Sequence, residues 1–220
     1  MLVNRRRPVS GRVRPRRRRG PDAGFTLVEL LVVIVILAVI AAPAANAVIG
    51  ILRNTDATNA RLATSHDAQM AAAYVAGDVA STGVQLPGGS GLAQSVERDV
   101  AYNAGLYPCG TAGTPAATLR LAWDEYTTPG GTATRIVVGY VVEATGAGRE
   151  LHRIRCQGGT TPVSDVVVAH QLAAGNPSVT CSTTCTAAPP PQQITLSIPL
   201  TDPGGSGGYT VVLSGQRRQT

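Results

Sequence analysis

The chain has no lysine: all nineteen of its basic residues are arginine. With abundant Ala, Gly, Val and Pro, this points to a GC-rich coding sequence, a property of the genome more than of function. Aromatic residues make up only 4%, so a core must be built from Val, Ile, Leu and Ala and will be modest. No P-loop, dinucleotide fingerprint or metalloprotease helix is visible, which removes the enzyme classes those motifs mark. A Gly-x-Ser-x-Gly pattern occurs at 204–208, but its chemistry needs a strand-to-helix turn and a later acid and histidine. No histidine follows His170, so the match is chance in a glycine-rich loop. Cys-x-x-Cys spacing is also missing. That argues against a zinc site built on cysteines with His152 and His170. No metal, cofactor or catalytic residue is expected, and His66, His152 and His170 read as ordinary surface or half-buried side chains.

Acidic residues are scarce at the start. Nine arginines, from Arg5 to Arg19, precede residue 25, and only Asp22 opposes them. The formal charge of +6 therefore belongs to the leader. From Phe25 onward ten arginines face twelve acids, a net charge of −2. A nucleic-acid binder resting on overall pI loses its support once that division is seen. Residues 1–24 lack apolar periodicity and carry three prolines, the composition of a disordered leader.

A long apolar run follows, over 25–52. As a helix rising about 1.5 Å per residue it reaches roughly 42 Å, ample for a bilayer core of about 30 Å. Pro43 is expected to kink or loosen it, with Gly50 a second soft point. Arginines before the run and all four cysteines after it predict one topology. The leader stays in the cytoplasm and the cysteines face an oxidising compartment. A conventional signal peptide, cut near Ala42, Ala44 and Ala45, is the competing reading of the run.

Beyond residue 53 polarity rises without a helix breaker. Leu62, Met70, Tyr74, Val75 and Val79 recur at helical spacing, predicting an amphipathic stripe that packs on a domain. The helix is expected to stop at 81–83, with Gly83 as a left-handed cap. From 84 onward the texture is short β-rich runs broken by Gly and Pro. Strands are expected at 118–123, 134–143, 150–156, 165–172, 178–182, 193–200 and 209–214. A hairpin turn is expected at 145–148 and a flexible loop at 203–208. The fold class is α+β: a long N-terminal helix packed on a mainly antiparallel sheet. Four segments follow: 1–24 leader, 25–53 hydrophobic helix, 54–83 amphipathic helix and 84–220 extracytoplasmic β-domain.

Cys109, Cys156, Cys181 and Cys185 allow three pairings. The favoured one is a tight Cys181–Cys185 loop with a long Cys109–Cys156 staple. Loop entropy assigns about 2 kcal/mol to the first and about 4 kcal/mol to the second.

The junction Gly24-Phe25-Thr26-Leu27-Val28-Glu29-Leu30-Leu31 sets one carboxylate just inside the apolar run. A carboxylate among hydrocarbon neighbours calls for a positive partner. The junction resembles the type III signal of prepilins, the precursors of type IV pilins and type II secretion pseudopilins. That resemblance is specific over 24–40 and weaker to residue 83. It implies cleavage after Gly24 by a prepilin peptidase that then methylates the new amino terminus at Phe25. Glu29, the fifth residue of the mature chain, would pair with the Phe25 amine of a neighbouring subunit during filament assembly. The alternative for Glu29 is a helix-start acid favoured by the macrodipole, worth about 0.3–1 kcal/mol. Implied partners are the peptidase/methyltransferase, other pilin or pseudopilin subunits, an inner-membrane assembly platform and the lipid bilayer before assembly. Nucleic acid enters only if the filament serves competence. A single-span anchored binding domain that does not polymerise is the rival function.

Overall fold

The computed structural model describes residues 24–128, 131–146, 148–201 and 208–218. The chain divides into two compact units, Met1–Leu52 and Arg53–Thr220. One helix, α1 (Leu27–Ser81), contributes its first part to one unit and its last part to the other. It continues through Pro43 and Gly50 without a break. The loop expected at 203–208 and the Gly-x-Ser-x-Gly sequence fall almost wholly outside the described residues.

Up to Leu52, α1 is apolar on every side and exposed on every side. None of its most apolar stretch is buried. A helix that is greasy all round has no inward face to choose. It satisfies its own backbone, as a membrane span must.

After Arg53 the helix acquires a buried stripe, though not quite the expected one. Asp67, Ala71, Val75, Asp78 and Val79 are buried, whereas Leu62 is 64% exposed. The stripe thus carries two carboxylates that apolar periodicity alone does not reveal. The helix end also differs from expectation. Gly83 sits at φ 151° and donates its N–H to Ala122 O at 3.0 Å, entering the sheet instead of forming a left-handed cap. Hydroxyls satisfy the last carbonyls: Ser81 Oγ donates to Gly77 O at 3.0 Å and Thr82 Oγ1 to Asp78 O at 2.8 Å.

Ten strands follow. A two-stranded pair joins β1 (Val84–Gln85) and β2 (Leu92–Ala93). The main sheet is an antiparallel meander of β3 (Val96–Val100), β4 (Ala117–Tyr126), β5 (Ala133–Thr145), β6 (Gly148–Gln157) and β7 (Pro162–Ala169), adjacent in that order. A second sheet orders β10 (Gly208–Gln216), β9 (Gln193–Thr201) and β8 (Ser178–Cys181), again antiparallel. The domain therefore has two principal sheets where one meander was expected, and β1 to β3 are additional to the predicted strands. The hairpin predicted at 145–148 closes β5 onto β6, pairing Thr145 with Gly148.

Ile136 through Val141 in β5 are all buried, because both faces of the main sheet are covered. One face joins Val75 and Val79 of α1 to Leu119, Leu121, Tyr140 and the second sheet's Leu196. Val137, Val141 and Ile154 point the other way, with Tyr107 and Cys109 packed on them. Gly215 is needed for the close approach of β10 to the helix. A Cβ there would lie 2.6 Å from Val79 Cβ.

Candidate processing and assembly site

The start of α1 is closed by a reciprocal capping box. Thr26 stands just before the first helical residue, and Glu29 lies three positions on. Thr26 N–H and Thr26 Oγ1–H both donate to Glu29 Oε2, each at 3.0 Å. Glu29 N–H donates back to Thr26 Oγ1 at 3.3 Å. Each residue satisfies a backbone N–H that the first helical turn leaves orphaned. The helix-start role weighed for Glu29 is therefore physically present. It occupies one carboxylate oxygen, and among the described residues Oε1 makes no hydrogen bond.

Among the described residues, the chain around this cap is bare. Phe25 is 85% exposed, and a Cβ on Gly24 would meet no atom within 4 Å. The fold thus places no steric demand on Gly24. Any requirement for glycine there comes from what handles the chain.

Buried ionic contacts hold the last turns of α1 to the β-domain. Arg153 of β6 makes a two-pronged pair with Asp78, through Nε at 2.7 Å and Nη2 at 2.6 Å. The Tyr140 hydroxyl donates to Asp78 Oδ2 at 2.6 Å. The Arg153 guanidinium lies 4.8 Å from the Tyr74 ring centroid, a cation–π contact. Burial and then the Asp78 charge push the Tyr140 phenol well above its ordinary pKa. Burial disfavours the Arg153 cation, but hydrogen bonding and attraction to Asp78 outweigh that and raise its pKa. Nearer the middle of α1, Asp67 accepts from His170 N–H at 3.1 Å and sits 2.8 Å from its Nδ1. Removing one partner of the buried Asp78–Arg153 pair leaves a stranded charge, so that contact fixes register more than it adds net stability.

Inside the domain Arg120 is 1% exposed. It bonds Glu97 at 3.3 Å and donates to the carbonyls of Ala104 and Ala101 at 2.7 and 2.8 Å. Burial lowers its pKa, with Glu97 opposing that shift. Glu97 Oε1 also accepts from Leu106 N–H at 2.6 Å. Gly105, at φ 83°, passes so close that a Cβ would stand 2.2 Å from that oxygen. One buried guanidinium thus shapes the loop after β3. Cys109 and Cys156 are bridged, tying the loop to β6, and Cys181 and Cys185 close a four-residue step after β8. The cysteines are consumed in these bonds and offer no thiolate to a metal.

The structure brings Thr26 and Glu29 together and leaves Gly24 and Phe25 open beside them. It adds Asp67, Asp78, Arg120 and Arg153, which sequence reading passed over. The one available signal was an acid recurring on the helical stripe at 67 and 78, eleven residues or three turns apart.

Residues 19–45 match the prokaryotic N-terminal methylation motif. No curated protein and no solved structure matches the chain. That motif runs into the head of α1, which is the one helix among the described residues long and apolar enough to cross a membrane.

Proposed function

We propose that the chain is cut after Gly24, methylated on the Phe25 amine and built into a pilus or pseudopilus filament as a minor component. The observation that carries this reading is the methylation motif lying on an entirely unburied apolar helix head. A helix with no internal partner for its hydrocarbon surface must find one outside, first lipid and then the helices of other subunits. The leader, 1–24, is removed. The segment 25–53 anchors and then packs into the filament, 54–83 continues it, and 84–220 is displayed outside the cytoplasm. Nine leader arginines support that orientation, and the two disulfides fit an oxidising compartment. The peptidase, sister subunits and the assembly platform are the partners. The filament's task is mechanical or adhesive, in motility, secretion or uptake.

In this reading Glu29 has two successive jobs. In the lone subunit its Oε2 closes the helix cap. In the filament Oε1 meets the Phe25 ammonium of a neighbour, so that both charges enter hydrocarbon as a pair and only in the matching register. Glu29→Val is expected to insert in the membrane and be cleaved normally, yet to fall severalfold or more in sheared filaments. Immunoblots of membrane and filament fractions measure this. Incorporation at the native level would rule out the pairing.

A further inference from the structure

Three strands of the main sheet gather one imidazole and three carboxylates on the face that bears Val141 and Ile154. Glu143 is on β5, Glu150 and His152 on β6, and Asp165 on β7. Register explains the meeting. Glu143 pairs with Glu150, Val141 with His152, and Ile154 with Asp165. Each acid is therefore a same-face neighbour of His152, one step along or across the pleat.

The geometry around the ring is asymmetric. His152 Nδ1 is 2.9 Å from Asp165 Oδ1. Nε2 lies 3.5 Å from Glu150 Oε2 and 3.9 Å from Glu143 Oε2. The side chain is 13% exposed, and Nε2 is buried without a hydrogen bond. Glu143, His152 and Asp165 each offer a ligand atom within 4.8 Å of the others.

A protonated histidine would neutralise only one of three negative charges. Among the described residues no arginine forms an ion pair with Glu143, Glu150 or Asp165. Arg149 and Arg155, the arginines of β6 on either side, reach toward Asn176 and toward Glu125 and Gln157. A doubly charged ion balances the cluster better than a proton. When Asp165 accepts from Nδ1–H, the lone pair is fixed on Nε2, the carboxylate–histidine arrangement that orients an imidazole toward a metal. Two donors about 2.1 Å from a shared tetrahedral ion stand about 3.4 Å apart, close to the Nε2–oxygen separations here. A mixed nitrogen and oxygen set suits zinc-class ions, whereas calcium and magnesium prefer oxygen alone.

We propose that the β-domain binds one divalent cation of the zinc class through His152 Nε2, Glu143 and Glu150, with Asp165 orienting the ring. The ion staples β5 to β6 near their hairpin and leaves a coordination position to water. This site is independent of filament assembly.

The test uses the untagged full chain in detergent, disulfides intact, stripped with chelator and titrated with Co²⁺ and then Zn²⁺. The expected result is one Co²⁺ per chain, intense visible bands of a tetrahedral ion without thiolate charge transfer, and displacement by Zn²⁺. His152→Gln should abolish the bands, and His170→Gln should leave them unchanged. Asp165→Asn should raise the Kd about 10–100-fold, the range for loss of an outer partner. Glu143→Gln, at a less buried position, should weaken binding at least about tenfold while circular dichroism stays native. Absence of stoichiometric binding, or equal binding by His152→Gln and Glu143→Gln, would overturn the site.

Discussion

The two units of this chain solve burial in opposite ways. Between Leu27 and Leu52 the large apolar side chains are exposed: Ile34 is 54% accessible, Leu37 60% and Ile51 65%. From Arg53 onward the molecule has its own core, in which Val75, Leu119, Tyr140 and Leu196 are sealed, and it buries charge as well. Asp78, Arg120 and Arg153 are each less than 9% exposed and each is paired. The first unit is simple in sequence and incomplete alone. The second is complete alone, and its specificity rests on ionic contacts between residues far apart in the chain. Hydrophobicity without a partner marks a surface meant for other molecules, whereas paired charge inside a core marks a fold that fixes its own register.

The largest effect that separates the two units is expected at the junction. Gly24→Val should block processing almost completely and leave a precursor about 2.8 kDa heavier, because nine of the 24 residues before Phe25 are arginine. Because a Cβ at Gly24 meets nothing, the β-domain should keep its native circular dichroism. Normal cleavage of Gly24→Val would show that the junction is not what the processing enzyme reads.

In the second unit Arg153→Met should be the most damaging single change considered. It strands Asp78 beside Tyr140 and is expected to cost about 3–5 kcal/mol in denaturant unfolding. A loss under about 1 kcal/mol would mean that water relieves Asp78 and that the pair does not set register. Replacing both Cys109 and Cys156 with Ser should cost about 2–4 kcal/mol. Cleavage and membrane insertion should be unaffected, since both depend on the other unit.

Tyr140→Phe should be milder, about 1.5–3 kcal/mol for one hydrogen bond to a charged group. It should also change the alkaline limb of stability. With its folded pKa raised far above the usual 10, Tyr140 contributes stability that is complete below pH 10. That contribution fades as pH climbs from 10 toward the folded value, because the unfolded phenol ionises first. Tyr140→Phe should flatten that decline in a melting-temperature series. An unchanged slope would place the alkaline loss elsewhere.

What could be read from sequence divides along the same line. The apolar run and its junction are local patterns, so the long helix, the methylation motif and the lone acid are all legible without coordinates. Most strands of the β-domain were visible too, from β-branched runs bounded by Gly and Pro. β3 was not, because Val96-Glu97-Arg98-Asp99-Val100 holds three consecutive charged residues. It forms a strand because Glu97 is buried against Arg120, a partner 23 positions later. Asp78 and Arg153 are 75 positions apart, and no periodicity links them. His152 looked ordinary because its acidic neighbours come from three strands whose register only folding sets.

The most direct test of the account is the intact mass and amino-terminal sequence of the chain purified from its native membrane or filament. The account predicts N-methylated Phe25 as the first residue, followed by the whole apolar helix. A chain that still carries its arginine leader, or one that begins after Ala45, would contradict it.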